Sequence, residues 1–393
     1  MSKRRWLGCA CALAATMSVS AQQPAPQPTF KTRAEVVLVD FIVSDKNNQP
    51  MRGLTAADFV VKEDGQERPI VSFTAFEGVN SAAAPTGSTA RPKEVPATVL
   101  LIDDGHLTLQ HAVWVKPALK ALLATMSKGG STVSMVAPWS KVSVAGLFPS
   151  EATAFNAGID KIVGQRFEDR SSFPVSDSEA IEAEHGDARA LARLASRFVA
   201  LNPTLTMEAA TALAHNRAVE VAHDARQRRD VLYGIAGLAL DWLAKQPGRH
   251  SLVVVSPGFP REPGDQRYQQ MVTRSMQVNA PIHFVDVRGL QGIGMQSLQN
   301  RAGMDDRAAP ASFTWSDDAE GTSALAEDTG GIAIHNSNDL GKALANVIES
   351  MSTYYVIGYD PPAHAKGGFK KITVETKTRG ARVRARKGYY VVP

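Results

Sequence analysis

Cysteine is nearly missing from this chain: there are two in 393 residues, and both, Cys9 and Cys11, lie within the first eleven positions. Beyond them there is no thiol, so disulfides, cysteine nucleophiles and cysteine-ligated zinc are excluded from the rest of the protein. Long apolar runs are lacking too, because no segment reaches the roughly 20 residues that a membrane-spanning helix needs. Charge of one sign is not in excess, with 43 Lys and Arg against 39 Asp and Glu. That balance gives no reason to expect nucleic acid as a partner. Nine histidines are present, yet none form a His-Glu-x-x-His motif and no two are four residues apart. A helical zinc site of that kind is therefore absent. Glycine-rich phosphate loops are missing as well, since Gly129-Gly130 and Gly330-Gly331 each follow a helical segment, where they serve as caps.

What is present is a globular composition, 44% hydrophobic and 21% charged, in a chain too long for one ordinary core. The first residues, MSKRRWLGCACALAATMSVSAQQ, place Lys3, Arg4 and Arg5 before a short apolar stretch ending in small residues. They read as a secretory signal over 1–21, so the mature protein is expected in the periplasm or outside the cell. A Pro/Gln-rich spacer follows at 22–34. Residues 35–78 alternate as strands, with Val37, Val39, Phe41 and Val43 on one face and a hairpin signal at Asp64-Gly65. This β module is too small to be stable alone. A linker rich in Ala, Pro, Gly and Ser covers 79–96.

From 97 to 353 apolar strands alternate with helical segments, the pattern of a mostly parallel sheet covered on both faces. A stretch at 178–228 interrupts the alternation and reads as a helical hairpin turning at Asn202-Pro203, with Leu191, Leu194, Phe198 and Leu201 facing Leu205, Ala209 and Leu213. Residues 354–393 return to strands and are expected to complete the N-terminal module as one small all-β sandwich. The fold class predicted is thus α/β, a doubly wound, mostly parallel, Rossmann-like sheet with an appended β-sandwich.

The first strand of the sheet region runs into VLLIDDGHLTLQ, residues 99–110, where an apolar run stops on Asp103-Asp104-Gly105 before a helix. The simplest reading is a tight turn in which an aspartate or Thr108 caps the helix. The position is nonetheless the carboxyl end of a strand, where open α/β sheets place their ligands. Asp103, Asp104, His106, Ser256 and Asp286 are therefore candidates for a partner-binding rim. The phrases VVLVDFIVSDKNNQPMRGLTAADFVVKEDGQ, VLLIDDGHLTLQ, LAKQPGRHSLVVVSPGF, ALAEDTGGIAIHNSNDL, YYVIGYDP and VRARKGYY, in this order, resemble the exported bacterial VWFA-related proteins, whose central domain is of the von Willebrand factor A type.

That resemblance implies a divalent cation, such as Mg²⁺, bound at the rim by Asp-x-Ser-x-Ser after the first strand, a threonine from a later loop and an aspartate after the fourth. Here Asp103 keeps the first ligand, with Asp104 beside it, while Gly105 and Leu107 stand at the serine positions and Ser256-Pro257 at the last aspartate. Ser171 and Ser172 only hold the place of the threonine. A cage lacking these oxygens does not suit a hard cation. The site reads as a degenerate metal-ion-dependent adhesion site, and no cofactor is expected.

Other constellations weigh less. Ser256 in VVVSPGF lacks the first glycine of a nucleophile elbow, and Pro257 removes the N–H of an oxyanion hole. His215 and His223 read as surface residues and His283 as a packed strand residue. Asp286 is expected to pair with Arg288. The stripe Arg382, Arg384, Arg386 and Lys387 reads as a solvated strand face, or as a contact for an anionic surface. One ring of each pair Tyr354-Tyr355 and Tyr389-Tyr390 is expected to be buried. The function expected is an exported, non-enzymatic interaction or adhesion protein whose partner is a protein or cell-envelope ligand. The alternatives are a hydrolase using Asp103, Asp104 and Asp286, or a metal-dependent adhesin with other ligands.

Overall fold

A computed structural model describes residues 36–46, 49–77, 96–126, 131–166, 171–288, 319–335, 337, 339–362 and 368–391. The signal, the spacer, Gly129-Gly130 and nearly all of the expected linker lie outside these. Alternation makes the first strand, β1 (Val37–Ser44), bury Val37, Val39, Phe41 and Val43 on one side. β2 (Phe59–Glu63) and β3 (Gln66–Arg68) form a hairpin whose turn residues Asp64 and Gly65 take φ of 49° and 81°. Both positive values match the right-handed strand twist, as a tight hairpin turn requires. β4 (Ile70–Glu77) completes the N-terminal set.

The chain then builds β5 (Ala97–Ile102), α1 (Leu109–Met126), β6 (Ser131–Ala137), β7 (Val142–Phe148) and α2 (Ala152–Lys161). Three consecutive helices follow, α3 (Asp177–Glu184), α4 (Ala188–Leu201) and α5 (Met207–Leu243). Next come β8 (His250–Ser256), α6 (Gln266–Val278), β9 (Ile282–Asp286), α7 (Glu320–Asp328), β10 (Ala333–Ile334) and α8 (Leu340–Ser352). The C-terminal strands are β11 (Thr353–Tyr359), β12 (Gly368–Thr376), β13 (Arg382–Ala385) and β14 (Gly388–Val391).

The large sheet has the order β10-β9-β8-β5-β6-β7 and is parallel except for β7. α1 packs on one face with Leu100, Ile102, Val253 and Val255, and α6 on the other with Val99, Leu101 and Val254. The helices after β5 and β8 thus cover opposite faces, so the strand order reverses between these two strands. This is the topological switch point of an open α/β sheet.

Two four-stranded antiparallel sheets, β13-β1-β11-β4 and β14-β12-β2-β3, draw their strands from both ends of the chain. They share one core in which Phe41, Phe59 and Tyr355 meet at ring separations of 4.9 to 5.7 Å. Residues 36–393 form a single compact unit. Ile42, on the other face of β1, is also buried, because that face lies against the α/β part.

The helical stretch differs from a two-armed hairpin. α3 and α4 form one side, and the other is a single 37-residue helix, α5, which runs on past Arg228 to Leu243. Its second half buries Leu232, Tyr233, Ala236 and Leu240 against the large sheet, so the insertion has no boundary at 228. The contact stripe also differs. Leu201 and Ala209 are exposed, and Ala210, Ala214, Ala218 and Ala222 are fully buried against Leu194 and Phe198. Alanines four apart form one face of a helix; the larger leucines drew the sequence reading one position out of phase.

Candidate functional site

The switch point is built by backbone first. Asp103 N–H extends the ladder to Val255 O at 3.0 Å, and His106 and Leu107 N–H return to Asp103 O, closing a turn. Thr108 caps α1: its Oγ1 accepts from His111 N–H at 3.2 Å. The aspartates are therefore not the cap and have other partners.

Asp103 uses both carboxylate oxygens. Oδ1 lies 2.8 Å from His106 Nδ1, and Oδ2 accepts from Ser256 Oγ at 2.5 Å. Ser256 Oγ in turn accepts from Gly258 N–H at 2.9 Å. Asp104 turns away and accepts from Trp139 N–H at 3.2 Å and Ser140 N–H at 2.5 Å, holding the β6–β7 turn. Burial pushes its carboxyl above the ordinary aspartate value, against the opposing bonds from Ser140 and Trp139. Asp286 stands beside Ser256 in register, yet it binds Arg288 through Nε at 2.9 Å and Nη2 at 2.6 Å, with His335 Nδ1 at 3.4 Å. Burial alone would raise the Asp286 carboxyl; His335 and Arg288 outweigh it and hold it low.

The loop after α2 seals this end of the sheet. Gln165 N–H bonds Asp104 O and Arg166 N–H bonds Leu107 O, both at 2.9 Å. A Cβ on Gly164 would lie 2.1 Å from Thr108 O, so the approach is possible only for glycine. Asp177, at the start of α3, pairs with Arg166 at 3.1 Å and Arg228 at 3.0 Å. Burial would raise its carboxyl, but Arg166, Arg228 and the nearby His106 hold it low.

Asp103, Asp104, His106, Ser256 and Asp286 are all buried, none more than 3% exposed. The sequence reading takes these five as a partner-binding rim; in the structure they are buried, and they bond one another, the backbone, Arg288 and His335. The covering groups, Trp139, Ser140, Gln165, Arg166 and Asp177, carry no motif. The one local signal was Ser176-x-x-Glu179, which forms a capping box at the start of α3.

The arrangement does not fit the cation cage. Leu107 is buried in the hydrophobic core, and the Trp139 indole lies 2.4 Å from where a Cβ on Gly105 would be. Ser171 and Ser172 are both exposed. Among the described residues, no group of three or more His, Cys, Asp or Glu side chains is placed to hold a metal ion. The Ser256 hydroxyl donates to Asp103 rather than to a histidine.

Elsewhere, His215 and His223 are exposed and His283 is buried. Tyr355 is fully buried, and Tyr389 donates to Glu63 Oε2 at 3.1 Å. The basic stripe is not a uniform solvated face: Arg382 is exposed, but Arg384 and Arg386 are half-buried and bond Ser44 Oγ and Leu38 O, each at 2.8 Å.

No known protein-family profile matches the chain, and no curated protein matches it. Among solved structures, the manganese-loaded TRAP protein of Plasmodium vivax aligns with 74% of this chain and 92% of its own, at 11% identity and a TM-score of 0.25. A likeness that weak says nothing of activity.

Proposed function

We propose that this is an exported, non-enzymatic interaction protein of the von Willebrand factor A type, with a degenerate metal site and a β-sandwich joined to its sheet. Its partner is a protein that docks by apolar contact at the carboxyl end of the sheet. The observation that carries this reading is a contrast at that end. The polar groups that would hold a cation or do chemistry are buried and mutually engaged, while the start of α1 leaves Val113 66% and Trp114 47% exposed. These two line a groove of about 810 Å³ with Pro117, Ala121, Val287 and Leu340. Exposed aromatic and aliphatic side chains in a concavity are what a protein partner buries. The N-terminal sequence supports export, and among the described residues no helix is long and apolar enough to cross a membrane.

The test uses the full chain as bait on cell-envelope extract, with Mg²⁺ or with a chelator. A partner captured equally in both conditions, and lost in folded Val113→Asp and Trp114→Ala variants, supports the reading. Capture that needs Mg²⁺ and disappears in folded Asp103→Asn would replace it with a metal-dependent adhesin. Turnover abolished by Asp286→Asn would replace it with a hydrolase.

A further inference from the structure

The outer face of the sheet β13-β1-β11-β4 meets the amino-terminal end of the large sheet across a small cleft. Asp40, Arg384 and Arg386 line it from the sandwich side, and Arg249 and Ser275 from the α/β side. Backbones approach closely here: a Cβ on Gly330, whose φ is +79°, would lie 2.7 Å from Arg386 N. Asp40 is the carboxylate that acts on Arg249 and Arg386, and Glu327 the one that acts on Arg384; Asp40 also accepts from Asn279 Nδ2 at 3.2 Å.

The arginines are only partly satisfied. Arg249 donates through Nη1 to Met351 O at 2.7 Å and lies over the Tyr354 ring at 3.7 Å, while its Nε is buried with no hydrogen-bond partner. Arg386 Nε is in the same condition. Close by, His283 is fully buried, and its Nδ1 accepts from Ile332 N–H at 3.2 Å. Burial, then Arg249 and Arg384, push His283 down to about 3, so it stays neutral and adds no positive charge. Burying more positive than negative charge is costly, and a hydrogen-bonded anion offsets that cost.

The free volume of the cleft is about 20 Å³. By this measure a single water needs roughly 10–15 Å³, so the space suits one small occupant, a water or a single small ion, rather than a bulky organic anion. We propose that the cleft is a binding site for one small inorganic anion, chloride among common ions, held by Arg249 and Arg386 with Arg384 as a third positive charge, and that the anion fastens the sandwich to the α/β sheet.

The melting temperature of the full chain would be measured in sodium chloride and in sodium gluconate at equal ionic strength. A saturable rise of a few degrees with chloride alone is expected, since a ligand that binds only the folded state stabilises it. Arg386→Met and Arg249→Met should each abolish the chloride increment; each also gives up a hydrogen bond, to Leu38 O or Met351 O, so each should melt below the wild type in gluconate. Wild-type crystals grown in sodium bromide should show an anomalous peak between the two arginines, a readout that does not depend on the variants folding. Superimposable salt curves for the wild type, an unchanged chloride increment in a folded variant, or no anomalous peak would each overturn the proposal.

Discussion

Ser256 Oγ donates to Asp103 Oδ2 at 2.5 Å, joining the carboxyl ends of β8 and β5 where the strand order reverses. A hydroxyl-to-carboxylate bond this short is charge-assisted and stronger than a neutral one. It also places Ser256 Oγ to receive Gly258 N–H. Ser256→Ala removes both interactions inside a buried site, so a loss of about 2–3 kcal/mol is expected in urea unfolding. The same engagement of Asp103 predicts that millimolar Mg²⁺, Mn²⁺ or Ca²⁺ leaves the melting temperature unchanged. Saturable cation binding by calorimetry, lost in Asp103→Ala, would contradict this.

Gly105 and Trp139 form a second testable pair. A serine at 105 would place a hydroxyl beside Asp103, yet its Cβ would overlap the indole. Because Trp139 is 47% exposed, the ring has room to swing out. Gly105→Ser should therefore cost about 1 kcal/mol and red-shift tryptophan emission, without creating cation binding. Trp139→Ala in the same chain should recover part of that cost, giving a coupling above about 0.5 kcal/mol in a double-mutant cycle. Additive effects would show that the ring does not guard the position.

The strands of the β module were legible from period-two alternation in β1 and from Asp64-Gly65, whose conformations few other residues adopt, and their pairing with the C-terminal strands from the smallness of each set; the order of strands in the large sheet was not. Nor was the burial of the rim. It depends on a loop with no motif, residues 163–166, reaching back to Asp104 and Leu107, and on Asp177 meeting Arg228 from 51 positions away. Long-range pairing of common residues leaves no local pattern. The same holds for Arg384 and Arg386: their alternation was visible, but not that the large sheet's amino-terminal end lies against them.

Acid should unfold the protein through its buried ion pairs. Burial would raise the Glu262 carboxyl, but bonds from Arg226, Arg229 and His185 outweigh it and hold it at about 2, below its ordinary 4.5. A depressed carboxyl contributes stability that is complete above its unfolded value and is lost as pH falls through the folded one. Stability should thus decline between about pH 4.5 and 2, reinforced by the depressed Asp177, Glu179 and Asp328. Asp104, raised by burial, works in the opposite direction. Glu262→Gln should cost about 2–3 kcal/mol at neutral pH and flatten the acid limb. A variant with an equally steep acid limb would place the transition on other groups.

The sandwich predicts a truncation result. β1 pairs with β11 and β13, and β2 with β12, so the N-terminal strands have almost no sheet without the C-terminal ones. Deleting 370–393 removes β13, β14 and most of β12. β2 then keeps only the short β3, so its amide protection should fall to that of an unfolded segment, while β1 keeps β11 and should lose less. Native protection of β2 in the truncated chain would mean that the β2–β3 hairpin stands alone.

α5 belongs to two cores at once, and that gives the last prediction. Its first half buries Ala210, Ala214, Ala218 and Ala222 against α3 and α4, and its second half buries Leu232 and Leu240 against β5 and β8. Between the halves, Arg228 and Arg229 pair with Asp177 and Glu262, at 3.0 and 2.5 Å. Alanine lets the helices approach closely, so a larger side chain there has no space. Ala214→Leu should destabilise by about 1–3 kcal/mol through overpacking. If the two cores unfold as separate units, hydrogen exchange in this variant should speed up in α3, α4 and the first half of α5 while β5 and β8 keep their protection. Equal loss throughout would show that α5 and its ion pairs make the helical insertion and the sheet one cooperative body, and would rule out an insertion that moves independently of the sheet.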